Sequence, residues 1–145
     1  MEADDLAAVT ALVHRYAELL DGGDLDGVTQ LFARAVWRSG GHELRTQEQV
    51  RRSYAGVVLY DGVPRTKHVI TNVTVEVATD RATAAARSYF TVLQALPDLP
   101  LQPIIAGRYH DRFARDAGGW YFSEREIIVD LTGDLSRHYP AGADG

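Results

Sequence analysis

Asp21 and His68 are the best candidates for chemistry in this sequence, because their side chains can act together in proton transfer. Asp21 lies at the predicted end of a helix, where the negative end of the helix dipole disfavours a carboxylate. In a partly dry site its pKa rises, or the acid needs a cationic partner. Histidine titrates near neutrality and is the usual proton carrier. A carboxylate bonded to one of its ring nitrogens fixes the tautomer and raises the basicity of the other nitrogen.

Each of these two residues also has a purely structural interpretation. Asp21 begins the sequence Asp-Gly-Gly-Asp, which is typical of a polar turn in which Asp forms local hydrogen bonds. A histidine on a strand face, such as His68, is more often structural than catalytic. Position alone therefore favours the structural interpretation for both residues.

Several aromatic residues can line a pocket around this pair. A tyrosine there would present a hydroxyl group to a bound molecule, although most tyrosines pack with the hydroxyl reaching water. Tryptophan has the same ambiguity, since its large ring is more often part of the core. The candidates for substrate contact are Tyr16, Tyr54, Tyr89, Tyr109 and Trp37.

The sequence contains no motif for a cofactor or a metal. There is no cysteine, which excludes disulfides, thiolate metal sites and cysteine nucleophiles. No histidine pair has the helical spacing of metal ligands, and the glycine-rich nucleotide motifs and the Gly-x-Ser-x-Gly elbow are missing. We therefore expect chemistry that uses neither a cofactor nor a metal.

Charge and hydropathy exclude two kinds of partner. The net charge is -5 and the arginines are scattered among acids, whereas a nucleic-acid binder normally shows a basic stripe. No apolar run approaches the roughly 20 residues that cross a bilayer. The acidic start, Met1 to Asp5, is unlike a signal peptide, and we expect a cytoplasmic protein.

The hydrophobic periodicity predicts helices first and a meander of long strands afterwards. A helix over 4–20 is followed by a short helix capped by Asp24, and a capping box at Thr46 and Gln49 opens a third helix over 47–58. The predicted strands cover 35–39, 42–45, 66–78, 82–93, 101–115 and 120–131, with a proline-containing loop before the fifth. This order is typical of an α+β fold with an antiparallel sheet curled around the first helix and a cavity between them.

Alternation along the strands predicts which residues share a face. It places His68, Ile70 and Asn72 on one face, and Val69, Val73, Val75 and Val77 on the other. Arg108, His110 and Arg112 share a face opposite Tyr109 and Asp111. In the last strand it places Glu124, Glu126 and Asp130 on the face of Trp120 and Phe122. The segment after Thr132 is polar and short, and we expect a loose extension.

Four stretches of the sequence together resemble the SnoaL-like group of the nuclear transport factor 2-like superfamily. They are Tyr16–Asp21 with Asp24 and Leu31–Phe32, Thr66–Asn72, Gly107–Asp111, and Gly119–Trp120 with Arg125. The resemblance implies a cone-shaped α+β barrel, in which a curved, mostly antiparallel sheet wraps the N-terminal helices around an internal pocket. It covers nearly the whole chain, so we expect a single SnoaL-like domain over 1–135 and a C-terminal tail over 136–145.

The same resemblance changes the interpretation of the two candidate residues. Scytalone dehydratase and hexachlorocyclohexane dehydrochlorinase use an Asp at the end of the first helix and a His on the strand after the third helix. Asp21 and His68 fall on those positions, so the resemblance implies a catalytic pair. Scytalone dehydratase also has a second pocket histidine on the following strand, where this chain has Tyr89–Leu93, and scytalone dehydration itself is therefore not expected.

The resemblance implies a cofactor-independent enzyme that acts on a small apolar substrate, such as a polyketide cyclase, dehydratase or isomerase of natural-product biosynthesis. One alternative is a pocket that promotes a pericyclic ring closure by orientation alone, without proton transfer. Another is a non-catalytic module that binds a ligand or a protein. A homodimer is expected through the open sheet face bearing Arg108, Arg112 and Glu126.

Overall fold

The computed structural model describes residues 2–140, and this part of the chain forms three helices and one six-stranded sheet. The helices are α1 (Glu2–Asp21), α2 (Leu25–Leu31) and α3 (Gln47–Tyr54). The strands are β1 (Val36–Ser39), β2 (His42–Leu44), β3 (Thr66–Val77), β4 (Thr83–Leu96), β5 (Leu99–Asp116) and β6 (Gly119–Thr132). The expected α+β fold is confirmed, with a curved sheet that does not close on itself.

The sheet has the order β2-β1-β6-β5-β4-β3, and its pairs are antiparallel except β1 with β6. A proline-containing loop between β4 and β5 was expected, but Leu96 pairs directly with Leu99. Pro97 and Asp98 therefore form a two-residue hairpin turn, since proline is well suited to the first central position of a turn. Both strands are longer than expected for this reason.

Helix α1 packs its apolar stripe against the inner face of the sheet. Val9, Val13, Tyr16 and Leu20 recur at helical spacing and are all buried. The helix starts two residues before the expected cap, and it ends where Gly23 adopts a φ of 77°. Glycine takes this left-handed conformation without a steric penalty, so the chain turns sharply after Asp21.

Both ends of α1 are tied to the sheet through carboxylates. At the first turn, the buried side chain of Asp5 accepts bonds from Arg81 (2.6 Å), Arg115 (2.7 Å) and the indole of Trp120 (3.2 Å). At the last turn, Asp21 is bonded to β3. The helix is thereby fixed in both rotation and translation over the sheet.

Helix α3 begins at the capping box that the sequence predicts. The Gln49 amide donates to the Thr46 hydroxyl at 3.1 Å, and the Gln49 side chain accepts from the Thr46 amide at 3.2 Å. The helix ends at Tyr54, earlier than expected, and buries Val50 and Tyr54 toward the core. This helix supplies one wall of the cavity.

A bulge in β3 changes the faces that simple alternation predicts. The register with β4 shifts between Thr71 and Thr74, and Asn72 has a φ of 54°. Because a bulge adds an unpaired residue, the side chains after it are turned over. Val75 and Val77 therefore pack against the core on the side of His68, and the prediction that they lie opposite His68 is wrong.

A second bulge, in β6, reverses the faces that simple alternation predicts for the residues after it. Phe113 pairs with Phe122 but Arg112 pairs with Glu124, so one residue of β6 is unpaired. Phe122 faces the core, whereas Glu124 faces outward and forms an ion pair with Arg112. The prediction that the strand acids share the face of Phe122 is wrong, and the bulge instead turns Arg125 inward.

The segment after Thr132 is not a loose extension over its described part. Leu135 and Tyr139 pack against the core, and His138 is only 4% exposed. The segment crosses the open end of the cone and contacts the loop after α3, where the Val58 amide donates to the His138 carbonyl at 2.8 Å. Residues 141–145 of the expected tail lie outside the described residues, and the division of the chain at residue 135 stays a prediction.

None of the helices within residues 2–140 is long and apolar enough to cross a membrane.

Candidate active site

Asp21 and His68 are in direct contact at the open end of the cone. The Asp21 carboxylate lies 2.6 Å from His68 Nδ1, and its second oxygen accepts the His68 backbone amide at 2.7 Å. The Thr66 hydroxyl donates to the same carboxylate at 2.8 Å. Three donors from the first residues of β3 thus hold one carboxylate at the end of α1, which explains how elements far apart in sequence keep this pair in register.

The electrostatics of the pair follow from these bonds. Burial raises the pKa of Asp21, but the hydrogen bonds and charge of His68 together with the Thr66 hydroxyl outweigh it, so the pKa lies below its ordinary value. Asp21 is therefore ionised at neutral pH. An ionised carboxylate is only an acceptor, so Nδ1 of His68 donates to it, and in a neutral imidazole the lone pair then lies on Nε2.

The other ring nitrogen of His68 points into the interior. The His68 side chain is 0% exposed, and its Nε2 has no hydrogen-bond partner among residues 2–140. Buried polar atoms in folded proteins are almost always paired, and an exception calls for an explanation such as a bound molecule. The arrangement suits a general base whose second ring nitrogen is left for a bound molecule.

The hydroxyls of Tyr16 and Tyr54 are hydrogen-bonded to each other, and the Tyr16 ring lies next to His68. The Tyr16 ring packs edge-on against the His68 ring at 5.9 Å. The hydroxyls of Tyr16 and Tyr54 lie 2.9 Å apart, and the Trp37 indole donates to the Tyr54 hydroxyl at 3.2 Å. Burial raises the pKa of Tyr16 and of Tyr54 well above its ordinary value, so both hydroxyls stay protonated.

Tyr109 completes the aromatic lining from β5. Its ring stacks on Phe90 at 4.5 Å and meets the Tyr16 ring edge-on at 5.7 Å. Gly107 makes this packing possible, because a Cβ there would lie 2.1 Å from the Ile128 carbonyl oxygen and 2.9 Å from the Phe90 ring. Burial also raises the pKa of the Tyr109 hydroxyl.

Tyr89 does not belong to this group. The inward residues of β4 are Ser88 and Phe90, and Tyr89 is 53% exposed on the outer face of the sheet. The prediction that it contacts the substrate is wrong, because the two-residue period of a strand turns it away from His68. Tyr16, Tyr54, Tyr109 and Trp37 lie together near the pair, and their contact with a substrate stays a prediction.

His138 was missed by the sequence analysis, although it lies beside the pair. Its ring is 6.3 Å from the ring of His68, and its Nδ1 is buried with no hydrogen-bond partner among residues 2–140. The signal that could have found it is the spacing of Leu135 and Tyr139, two apolar residues four positions apart in an otherwise polar stretch, which allows this segment to pack on the core. A histidine within such a segment is then directed at the interior.

The cavity near the Asp21–His68 pair is almost filled by side chains. A cleft of about 10 Å³ lies between α1, α3 and the C-terminal segment, which is room for about one water molecule. Its lining residues are Leu20, Trp37, Ser53, Tyr54, Val57, His138 and Tyr139. The expected internal pocket is therefore reduced to this small cleft, because His138 and Tyr139 of the C-terminal segment fill its open end.

Within the part of the chain that the structure describes, no group of three or more His, Asp or Glu side chains is placed to hold a metal ion.

The fold agrees with a family assignment. The model of the SnoaL-like domain family matches residues 1–126, and the chain therefore belongs to the SnoaL-like domain family. No curated protein matches the chain in sequence.

Solved structures with the same fold span nearly the whole chain. Rv3472 from Mycobacterium tuberculosis, a protein of unknown function, has a TM-score of 0.76 at 21% identity, covering 99% of this chain and 83% of its own. An NTF2-like protein with a cystatin-like fold from Novosphingobium aromaticivorans has a TM-score of 0.71 at 19% identity, covering 93% and 87%. ActVI-ORFA from Streptomyces coelicolor has a TM-score of 0.71 at 20% identity, covering 86% and 97%.

Proposed function

We propose that this protein is a cofactor-independent enzyme in which His68, oriented by Asp21, removes a proton from a small, largely apolar substrate. The observation that carries the proposal is the state of the His68 ring. One nitrogen is bonded to an ionised carboxylate at 2.6 Å, and the other is buried with no partner among the described residues. The product would arise by elimination, isomerisation or ring closure, and a natural-product substrate of the polyketide type suits the family.

The surrounding groups support each part of such a reaction. The Asp21 carboxylate stabilises the imidazolium that forms when Nε2 accepts a proton. The hydroxyls of Tyr54 and Tyr109 remain protonated, so either can donate a hydrogen bond to a carbonyl or to the enolate-like oxygen that develops. A narrow aromatic interior excludes water, which strengthens these interactions.

The test uses 5-nitrobenzisoxazole, a small apolar compound that opens when a base removes its carbon-bound proton. His68→Ala should lower kcat/KM for this probe by about 10²- to 10⁴-fold, the usual contribution of a general base. His14→Ala is the matched control, because His14 is exposed on the outer side of α1. Equal rates for wild type and His68→Ala would contradict the mechanism.

The nearly filled cleft favours a second candidate function, a non-catalytic module that binds a ligand or a partner. In that case wild-type protein should turn over the probe no faster than free imidazole at the same concentration.

A third outcome would indicate that the protein promotes ring closure of a substrate by orientation alone. For an authentic polyene substrate, His68→Ala would then keep its rate while Trp37→Ala, which changes the cavity shape, would lose it.

We further propose that two copies pair through the outer face of the sheet. This face carries both signs of charge, in Arg108 with Asp130 and Arg112 with Glu124, around the half-exposed ring of Tyr89. A surface of mixed charge around an aromatic residue can be self-complementary across a two-fold axis. Light scattering should give twice the chain mass of 16.0 kDa, and Tyr89→Glu should give the mass of one chain.

A further inference from the structure

The C-terminal segment is fastened over the interior by bonds on consecutive residues. The Arg137 carbonyl accepts from the Tyr60 hydroxyl at 2.6 Å and from the Gln94 side chain at 3.0 Å. The next carbonyl, that of His138, accepts from the Val58 amide, and the Tyr139 hydroxyl donates to the Ser53 carbonyl at 2.8 Å. The loop after α3, the end of α3 and the inner face of β4 thus all hold the backbone around His138.

This anchoring directs an imidazole ring at the candidate active site. The ring of His138 is buried, lines the cleft and lies 6.3 Å from the ring of His68 at an interplanar angle of 67°. Its buried Nδ1 has no hydrogen-bond partner within residues 2–140. An apolar side chain would fill the same place without leaving a desolvated polar atom unpaired, so packing alone does not account for a histidine here.

The ring of His138 is neutral under ordinary conditions. Burial lowers its pKa from the ordinary 6.5 to about 4, and a proton on His68 would act in the same direction, although the Asp21 carboxylate acts in the opposite direction. A neutral imidazole has one donor and one acceptor nitrogen. It can therefore give a hydrogen bond to a substrate oxygen without placing a second positive charge beside His68.

We propose that His138 is a catalytic residue that donates a hydrogen bond to the oxygen of the substrate on which negative charge develops, while His68 removes the proton. This inference rests on the proposed function of the Asp21–His68 pair and adds a substrate class to it. The substrate has an acidic C–H bond and, close to it, a carbonyl, enol or leaving-group oxygen. Because the cleft holds only about one water molecule, the substrate displaces the C-terminal segment on entry, and His138 contacts the substrate as the segment closes.

The ring opening of 5-nitrobenzisoxazole contains both halves of this chemistry. His68 Nε2 takes the ring proton, the electron pair of the broken C–H bond becomes part of the nitrile, and the N–O bond breaks. The oxygen leaves with the electron pair of that bond as a phenolate. Wild-type protein would stabilise this phenolate through the hydrogen bond from His138.

The experiment compares His138→Phe and His138→Gln with the wild type. His138→Phe fills the space but has no donor, and kcat should fall about 10²-fold with KM changed less than about threefold, as when one donor to an oxyanion is removed. His138→Gln retains an N–H donor and should recover part of the loss. Ser136→Ala is the matched control for the segment, because Ser136 is exposed and makes none of the anchoring bonds, so the rate should stay at the wild-type value.

The outcomes separate this inference from the proposal on which it rests. If His68→Ala is inactive and His138→Phe keeps its kcat within about twofold, His138 has no catalytic role and the Asp21–His68 mechanism stands. If neither variant changes the rate, both ideas are wrong. A second measurement needs no variant. The product, 2-cyano-4-nitrophenol, is added to the wild-type protein and the ¹⁵N resonances of the imidazoles are followed. Product binding should shift both His68 and His138, and an unmoved His138 resonance would overturn the inference.

Discussion

Two carboxylates of the inner face each bind a basic side chain, and the two pairs have opposite characters. Asp21 and His68 share one short side-chain bond of 2.6 Å at the open end of the cone. Asp111 and Arg125 share two, of 2.7 and 2.8 Å, with both side chains 0% exposed. The first pair keeps a buried lone pair for another molecule, whereas the second uses its charges on each other.

The aromatic residues around Arg125 reinforce its structural role. Its guanidinium lies 3.8 Å from the ring centre of Tyr109 and 4.5 Å from that of Tyr16, with Phe32 and Phe122 slightly further away. Burial alone would lower the pKa of Arg125, but the charge of Asp111 holds it above its ordinary value. A group that never loses its proton cannot act as a base, so we interpret this pair as the support for the tyrosine rings and the other as the reactive site.

The largest expected effect on stability comes from breaking the interior pair, Asp111 with Arg125. Arg125→Met should lower the free energy of unfolding by about 3–5 kcal/mol, because it leaves the Asp111 carboxylate buried without a partner. Urea denaturation followed by circular dichroism measures the loss. Asp111→Leu combined with Arg125→Met should restore most of it, since the double variant removes both buried charges.

The surface variant Arg45→Gln is the control for that measurement. Arg45 forms an ion pair with Glu43 at 3.0 Å, but its side chain is 63% exposed. Exposed pairs contribute little, so the unfolding curve should hardly move. A similarly small change in Arg125→Met would contradict the structural role of the interior pair.

Lowering the pH should destabilise the region around His138 before it affects the Asp111–Arg125 pair. The pKa of His138 is about 4 in the folded protein and about 6.5 in the unfolded chain, so the unfolded chain binds the additional proton between these values. Its contribution is fully present above pH 6.5 and decreases by about 3 kcal/mol as the pH falls to 4. Denaturation at intervals of pH should show this slope in the wild type.

The variant His138→Phe should lack the part of the slope between pH 6.5 and 4, because it has no group to protonate. Asp21 contributes to the pH dependence of stability only at lower pH. Its pKa is depressed, so its stabilising contribution is lost only as the pH falls below the ordinary carboxyl value. An unchanged slope in His138→Phe would mean that another group carries the acid sensitivity.

A smaller loss of stability than for Arg125→Met is expected from breaking the Asp21–His68 pair. Asp21→Asn should cost about 1–3 kcal/mol, because the carboxylate accepts three hydrogen bonds that an amide can only partly replace. The ¹⁵N shifts of His68 should show loss of the single tautomer. Thr66→Val removes one of the three bonds and keeps the carboxylate, so its cost should be smaller and the tautomer should persist.

The sequence predicts the parts of the site that depend on local patterns. The end of α1 at Asp21, the start of β3 before His68 and the capping box of α3 follow from glycine, strand alternation and a short motif. Tyr16 and Tyr54 lie on the apolar faces of α1 and α3, and Tyr109 lies on the face of β5 opposite its charged residues. Their assembly into one cluster rested on the resemblance to a family, since nothing in local spacing joins residues 21 and 68.

The errors have a common physical origin in tertiary contacts. The bulge in β3 and the bulge in β6 each add one residue, and this reverses the faces of Val75 and Glu124. Neither bulge is marked by a glycine or a proline, so alternation alone could not reveal it. The interior pair and His138 were missed for related reasons: Arg125 is charged and His138 lies in a polar segment, and both are buried only because distant groups receive them.

The parallel pairing of β1 with β6 also has a consequence for the order of folding. Val36 pairs with Glu124, so this edge of the sheet joins strands separated by most of the chain. Contacts of high sequence separation carry a large loop-closure entropy and tend to form slowly. Trp37 lies on β1, so its final surroundings form only when β1 has paired with β6. Trp37 fluorescence should therefore report a late step of refolding, after the meander of β3, β4 and β5 has assembled.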